Sequence, residues 1–469
     1  MRKTAVAATL LFVSMVFVAC GYNGGAVYLQ DVSYVTTYEG VLEEISAEEI
    51  TSENMSLQAG ELRSNRFISP RRQLLVDDFD YMIEVLLNNF PYFGIAERRL
   101  GVNVEELIAE TREAIVGTRY SLTTNYNFWW VLDHYLFARV GYVGHLFIQA
   151  PEMIHLTLAN VYRGPVGYDG EFLYMGNREF TYWGMLFRDI VRSEAARQFY
   201  GYIEIDLNNY EEGMIEPDNV TVDIVADGIG YISVARFWHY NIEHDRQIIF
   251  DFMEEITDFD HLIIDLRGNP GGFTRYFIMN FMMPNLPYGE ELIIPMHTMF
   301  MAGDYNIPWI EANSDDTYLL FGERTERIPV QEFIDAGDFP YMNPYDLEIL
   351  DYVSPYYITI RGTGEILFPG RIWVLVDGGS ASAVEYASLY IQATGFATIV
   401  GEPTRGITGG AMSGFFVLPN TGLIVRHDIG YFFDSYGRAI DEFGVAPDII
   451  NFEGMDALET VLAIIEADN

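Results

Sequence analysis

The fold is indicated most directly by residues 371–401, which read RIWVLVDGGSASAVEYASLYIQATGFATIVG. Residues 371–376 are mostly apolar and rich in β-branched side chains, which predicts a short buried strand. From Ala381 onward, apolar side chains recur at helical spacing. The small residues between strand and helix allow a tight turn, and they leave the hydroxyls of Ser380 and Ser382 at the start of the helix. Because backbone N–H groups point outward there and the helix dipole stabilises a nearby oxyanion, this turn is a favourable place for a nucleophilic serine.

A purely structural interpretation of the same turn is also open. Serine is common at helix starts because its hydroxyl accepts a backbone hydrogen bond and caps the helix. On this interpretation Ser380 is an N-cap and Ser382 is a first-turn serine, and neither has a chemical role.

Length and charge limit the class of protein and its partners. The chain has 469 residues, enough for two or three domains and a large core, and half of them are hydrophobic, which excludes a disordered or fibrous chain. The formal net charge of -41 argues against nucleic-acid binding, which uses clustered Lys and Arg. It favours neutral or cationic partners over anionic substrates, although a charge of this sign also serves solubility.

The N-terminal sequence predicts export. Two basic residues precede the apolar run 5–19, a signal-peptide pattern that is too short for a permanent membrane span. The run ends in FVAC, which resembles a bacterial lipobox with Phe in place of the usual Leu and with Cys20 as the lipidated residue. We therefore expect a lipoprotein-type signal peptide over 1–20 and a tether over 21–71, with the lipid as the one membrane contact. This places the chain at the outer face of the cytoplasmic membrane or elsewhere in the cell envelope.

An ordinary secreted protein with an incidental cysteine is the alternative. Because Cys20 is the one cysteine, an intrachain disulfide is impossible in either case.

The remaining sequence divides into a helical part and an α/β part. Residues 72–145 carry amphipathic helical patterns, which predict a small N-terminal helical bundle ending in GYVGH at His145. Residues 146–226 mix both patterns and have no signature of a peptide-binding PDZ module. Residues 227–469 alternate strands and helices, which predicts a layered α/β core. Within them, the aromatic and irregular insertion 284–370 would either wall a substrate cleft or be merely structural.

Four short motifs occur in order over the last half of the chain. They are DLRGNPGG (265–272), GSASAVE (379–385), GEPT (401–404) and GVAPD (444–448). Together they resemble the C-terminal processing (tail-specific) serine peptidase family, whose core has a crotonase-like layered α/β fold. The resemblance implies a hydrolase that acts on peptide or protein substrates through an acyl-enzyme, without a metal or a cofactor. In the family's SASASE motif the nucleophile lies three residues before the glutamate, and the corresponding residue here is Ser382.

The catalytic base must differ from that of the bacterial processing peptidases, which place a lysine shortly after GEPT. The aligned residue here is Ile407, and the one lysine of the chain is Lys3, in the predicted signal peptide. The branch that resembles the tricorn protease core and the retinoid-binding-protein repeats uses a histidine from the N-terminal helical region and an acid near the C-terminal GVxPD. By this resemblance His145 is the base, and Asp441, or its neighbour Glu442, is the third member of a triad.

The resemblance also implies an oxyanion hole. The backbone N–H of Ala383 and one from Gly271 or Gly272 would hold the charge that develops on the substrate carbonyl. The pair His427-Asp428, in a predicted hairpin, offers an alternative histidine base.

Two other functions use the same fold. A catalytically inactive peptide- or ligand-binding lipoprotein fits the missing lysine and the aromatic insertion. Crotonase-type acyl-thioester chemistry is disfavoured by export, because coenzyme A esters are cytoplasmic.

Overall fold

The structure is a computed structural model that describes residues 32–36, 42–46, 68–154, 158, 182–201, 215–315, 327–337, 339–365, 368–408 and 413–468. The helices are α1 (Pro70–Asn89), α2 (Phe93–Leu100), α3 (Val104–Val116), α4 (Asn125–Leu132), α5 (Tyr182–Arg192), α6 (Glu194–Tyr200), α7 (Ile242–Glu255), α8 (Arg275–Phe277), α9 (Asn306–Asp315), α10 (Val330–Ala336), α11 (Pro344–Leu347), α12 (Ala383–Thr394), α13 (Ile440–Phe443) and α14 (Ala457–Asp468). The strands are β1 (Val32–Thr36), β2 (Leu42–Ser46), β3 (Phe147–Ile148), β4 (Val220–Ala226), β5 (Ile229–Val234), β6 (His261–Asp265), β7 (Glu291–Phe300), β8 (Ile328–Pro329), β9 (Tyr352–Arg361), β10 (Arg371–Val376), β11 (Thr398–Gly401), β12 (Ser413–Val417), β13 (Ile424–Asp428), β14 (Tyr431–Phe432) and β15 (Ile449–Ile450).

A six-stranded sheet forms the centre of the C-terminal half, with strand order β15-β11-β10-β6-β5-β4. Its strands pair in parallel except at the β4–β5 edge. The central strands β6 and β10 are buried along nearly their whole length, as expected for parallel strands covered on both faces. Helices α7 and α12 contribute to the core on one face, and α14 packs on the other. The predicted α/β core, preceded by N-terminal helices, is confirmed.

The helices α1 to α4 share one hydrophobic cluster with part of the α/β region. Ser69 caps α1 by accepting the N–H of Arg72, and Thr124 caps α4 in a reciprocal capping box with Asn127. After α4 a π-helical turn, Asp133–Phe137, leads to the segment 141–145. Strand β3 follows at once and pairs with β13, so the end of the helical region is tied directly to the core.

The insertion 284–370 is more regular than its composition suggests. Strands β7 and β9 are ten residues each and pair along their whole length, in a sheet of order β14-β7-β9-β8. Pro295 and Pro355 lie within these strands. From the sequence alone, a proline at such a position argues against a continuous strand. Alternating burial along β9 supplies the packing that keeps it extended.

Several predictions fall on residues that the structure does not describe. The predicted signal peptide 1–20 and Cys20 lie outside the described residues, as does most of the predicted tether 21–71. Among the described helices, none combines the length and the apolar character that crossing a bilayer requires.

Candidate active site

The turn that carries Ser382, the predicted nucleophile, connects β10 to α12, and its backbone is strained at Ser382. This residue has φ 54° and ψ -113°, in a region that non-glycine residues rarely occupy. Among the described residues the non-glycine positions with positive φ are Tyr142, His145 and Ser382. Two of these three are the predicted base and nucleophile. Since backbone strain of this kind concentrates at active sites, the pattern points to chemistry rather than to helix capping alone.

The two serines of the turn differ in availability. Ser380 is fully buried, and its hydroxyl donates to the carbonyl of Leu266 at 2.8 Å and accepts the N–H of Asp377 at 3.0 Å. Its hydroxyl is therefore occupied in holding the turn against the end of β6. Ser382 is partly exposed. Of the two, Ser382 is the one whose hydroxyl can meet a substrate.

A buried carboxylate fixes the start of α12. Glu385 is fully buried and accepts the N–H of Ser382 at 3.1 Å, the hydroxyl of Thr404 at 2.9 Å, and the N–H groups of Gly406 and Ile407. Burial, and then the charge of Asp441, raise the pKa of Glu385 to about 7 in spite of these donors. The glutamate that identified Ser382 in the sequence thus ties the nucleophile to the 404–407 turn.

Free backbone donors lie beside the nucleophile. The backbone of Gly271 lies against that of Ser382 and Ala383. A Cβ atom at position 271 would lie 2.8 Å from Cβ of Ser382 and 2.7 Å from the nitrogen of Ala383. The N–H of Gly271 itself is used, because it donates to Oδ1 of Asn269 at 2.8 Å. Within the described residues, the N–H groups of Gly272 and Ala383 have no acceptor. Of the predicted oxyanion donors, these two are available to a substrate carbonyl.

His145 is oriented by a buried acid. Its Nδ1 lies 2.6 Å from Oδ2 of Asp428, whose other oxygen accepts the hydroxyl of Ser413 at 2.9 Å. Burial alone would raise the pKa of Asp428, but His145, Arg426 and the Ser413 hydroxyl together lower it below its usual value. The His145 side chain remains 11% exposed, whereas that of Asp428 is fully buried. The imidazole therefore has one nitrogen on the carboxylate and the other free to meet a nucleophile.

The backbone before His145 requires glycine. Gly144 has φ 55°, and a Cβ atom there would lie 2.5 Å from the Tyr92 ring and 2.8 Å from the Phe90 ring. The turn can therefore pack on the aromatic residues of the helical region only with glycine at this position.

The two acids predicted as third member have hydrogen-bond partners other than His145. Asp441 is fully buried, and its Oδ2 accepts the hydroxyl of Thr408 at 2.5 Å, while its Oδ1 has no partner among the residues that the structure describes. Burial and the charge of Asp428 raise the pKa of Asp441. Glu442 accepts three hydrogen bonds from Arg98. Neither is hydrogen-bonded to His145, which is joined to Asp428 instead.

Asp428 entered the sequence analysis only as the neighbour of an alternative base, His427. The sequence did contain a sign that Asp428 has a partner. It is an acid at an inward position of a buried hairpin strand, and burying an unpaired charge there is costly. His427 is buried beside the rings of Phe90 and Phe416, and its Nδ1 has no partner in the described part of the chain. Burial lowers the pKa of His427 to about 4. It is thus a neutral core side chain.

His145 and the turn that carries Ser382 are linked through the charges of buried acids. The charges of His145 and Asp428 both act on the pKa of Asp441, and the charge of Asp441 acts on that of Glu385. The one hydrogen bond found on the His145 ring is to Asp428, so no such bond joins it to Ser382. In the described part of the chain, no group of His, Cys, Asp and Glu side chains is arranged to hold a metal ion.

A strained serine at a strand–turn–helix junction, with backbone N–H groups beside it that lack acceptors among the described residues, is an arrangement that suits a serine-type hydrolase. Residues 228–451 match the model of peptidase family S41, and this match supports a serine-type peptidase. Ile407, which the sequence resemblance aligns with the lysine of the processing peptidases, is buried and gives its backbone N–H to Glu385.

Several solved structures are similar to this chain at low identity. A putative peptidase from Parabacteroides merdae is 14% identical, with 84% of this chain and 96% of that one covered and a TM-score of 0.46. Mature CPAF complexed with lactacystin is 13% identical, with coverage of 85% and 98% and a TM-score of 0.46. The photosystem II D1 C-terminal processing protease is 14% identical, with coverage of 86% and 98% and a TM-score of 0.35. No curated protein matches the chain.

Proposed function

We propose that the chain cleaves peptide bonds through an acyl-enzyme on Ser382, with His145 as general base and Asp428 as the carboxylate that orients it. The observation that carries this proposal is the 2.6 Å hydrogen bond between Nδ1 of His145 and the buried Asp428. An Nδ1–H that donates to Asp428 leaves Nε2 with a lone pair, and a serine hydroxyl needs such an acceptor to become nucleophilic.

The reaction proceeds in two halves. Oγ of Ser382 attacks the carbonyl carbon while its proton passes to Nε2 of His145, and the imidazolium then protonates the leaving amine. A water molecule attacks the resulting ester, gives its proton to His145, and releases the acid product as Ser382 regains its proton. Asp428 remains ionised throughout and stabilises the imidazolium, which agrees with its lowered pKa.

Gly272 and Ala383 supply the oxyanion donors in this mechanism. Their N–H groups have no acceptor within the described residues, so donating to the substrate oxygen breaks no internal hydrogen bond. In comparable sites one such donor lowers the barrier by about 3 kcal/mol.

The bond between Ser382 and His145 is expected to form when a peptide occupies the cleft. Catalytic hydrogen bonds often tighten only in the substrate complex. The partly exposed Ser382 and the 11% exposed His145 side chain leave room for a peptide to reach both.

We infer further that the protein acts outside the cytoplasm and is held to the membrane by a lipid on Cys20. The basic residues before the apolar run 5–19, and the lipobox-like FVAC that ends it, support this placement. Fractionation of cells that express wild type and Cys20→Ala tests it. The variant should move from the membrane pellet to the soluble fraction, and equal retention of both in the pellet would contradict the anchor.

Labelling of the purified chain with a fluorophosphonate tests the chemistry. Wild type should be labelled, whereas Ser382→Ala and His145→Gln should not be labelled although both remain folded by circular dichroism. His134→Gln is the matched control, because His134 is an exposed histidine of the same helical region that stacks on Trp130. A folded wild type that resists the reagent would overturn the proposal and favour a binding protein.

A further inference from the structure

The 404–407 turn, between β11 and β12, is held on one side by the nucleophile helix. Gly406 donates its N–H to Glu385 at 2.5 Å and Ile407 does so at 2.9 Å. The same carboxylate accepts the N–H of Ser382 at 3.1 Å. The position of this turn and the backbone of the strained nucleophile are therefore fixed by one side chain.

On its other side the turn is held by an arginine of the helical region. Nη1 of Arg99 donates to the carbonyl of Gly406 at 2.7 Å and to that of Asp441 at 2.8 Å, and Nη2 donates to the carbonyl of Arg405. Gly406 has φ +79°, and a Cβ atom there would lie 3.1 Å from Nη1 of Arg99. The turn is thus shaped to admit the guanidinium, whose rigid set of donors suits several carbonyls at once.

Arg99 and His145 belong to the same packed region. Tyr92 lies just before α2 and Ile95 lies within it. Both belong to the same hydrophobic cluster as Val143 and Leu146, which flank the His145 turn. A packed cluster resists deformation, so the positions of Arg99 and His145 depend on each other. The path from Arg99 through the turn to Glu385 therefore connects the base-bearing region to the nucleophile.

We propose that Arg99 is a positioning residue, which sets the place of Ser382 relative to His145 by holding the 404–407 turn against Glu385. The inference rests on the proposed function, because it assumes that Ser382 and His145 react together. Its neighbour Arg98 makes a different kind of contact, with the carboxylates of Asp346 and Glu442, and has no bond to the turn.

The experiment compares Arg99→Met with Arg98→Met in the purified chain. Both variants remove one guanidinium from α2, and Arg98→Met also breaks ion pairs with Asp346 and Glu442, so the loss of stability is matched or greater in the control. The readout is the second-order rate constant for fluorophosphonate labelling, measured well below the unfolding temperature of each protein. Arg99→Lys is included because a lysine restores the charge and part of the donor set.

Arg99→Met should lower the labelling rate by about 100-fold, the loss that a misplacement of about 1 Å can cause. Arg98→Met should stay within about threefold of wild type, and Arg99→Lys should recover part of the loss. Equal rates for Arg99→Met and wild type, or equal losses in both Met variants, would overturn the inference while leaving the proposed function intact. If both Arg99 variants fail to fold while Arg98→Met folds, the role of Arg99 is structural and the inference fails. If wild type itself is not labelled, the proposed function falls and the inference with it.

Discussion

Replacement of Asp428 by asparagine is the sharpest test of whether Asp428 or Asp441 supports His145. The substitution keeps the shape of the side chain and an oxygen that can accept the proton on Nδ1 of His145, but it removes the charge. Asp428 is fully buried and 2.6 Å from the ring, so its interaction with the imidazolium is weakly screened by water. The change should therefore affect catalysis far more than folding.

The size of the effect follows from the contact. Two unit charges about 4 Å apart interact by about 4 kcal/mol at an effective dielectric constant of about 20. Because the imidazolium forms only as the reaction proceeds, most of this energy stabilises the transition state, and its loss corresponds to about 1,000-fold in rate. The free energy of unfolding should fall by about 1 kcal/mol, since a neutral hydrogen bond replaces a charge-assisted one.

The assay is the rate of fluorophosphonate labelling, supported by hydrolysis of a peptide pool followed by mass spectrometry. Asp441→Asn is the matched variant, because Asp441 is equally buried but bonds to Thr408. Its rate should stay within about tenfold of wild type, since no hydrogen bond links it to His145.

The reasoning is refuted if Asp441→Asn loses as much rate as Asp428→Asn. It is refuted equally if Asp428→Asn retains more than about a tenth of the wild-type rate while Ser382→Ala has none, because the buried pair would then not support the base.

Three further predictions test other parts of the site. His427→Phe should leave the labelling rate within about threefold of wild type, because this ring is buried among aromatic side chains with its Nδ1 unused; loss of labelling would restore it as a candidate base. Burial and then the charge of Asp441 raise the pKa of Glu385 to about 7. Because both of its oxygens can accept hydrogen bonds from the turn only when the carboxyl is ionised, activity should rise as the pH rises through about 7. A carboxyl with a pKa raised on folding contributes stability below its ordinary pKa of 4.5, and this contribution is lost as the pH rises through about 7; chemical denaturation should show the trend in wild type and not in Glu385→Gln. Finally, Ser382→Gly should be more stable to unfolding than Ser382→Ala by about 1 kcal/mol, since glycine accepts φ 54° without strain, and equal stabilities would show that the backbone there is relaxed.

The strand–turn–helix around Ser382 was predictable because its signals are local. A buried strand, small residues and a helical pattern follow one another within 371–401, and the spacing to Glu385 selected Ser382 over Ser380. The structure adds why that spacing matters, since the Glu385 carboxylate binds the N–H of Ser382. The division of the chain into helices and an α/β core was predictable for the same reason, from the period of the apolar residues.

The partner of His145 was not predictable from neighbouring residues. Asp441 and Glu442 lie beside a recognisable motif, but α13 directs Asp441 to Thr408 and leaves Glu442 to Arg98. Asp428 meets His145 because the two-residue strand β3 pairs with β13, with Arg426 opposite Phe147. Register between strands so far apart in sequence is decided by the packing of the whole core, and no local pattern of residues encodes it.

The wide separation of the catalytic groups along the chain also governs when activity can appear. His145 and Asp428 are 283 positions apart, and the strand that joins them lies near the end of the sequence. Contacts between such distant residues carry a large loop-closure entropy and form late in folding. In the proposed mechanism, a chain truncated before β13 lacks Asp428 and leaves His145 without the acid that orients it. In the proposed mechanism, activity therefore appears only once β13 has paired with β3.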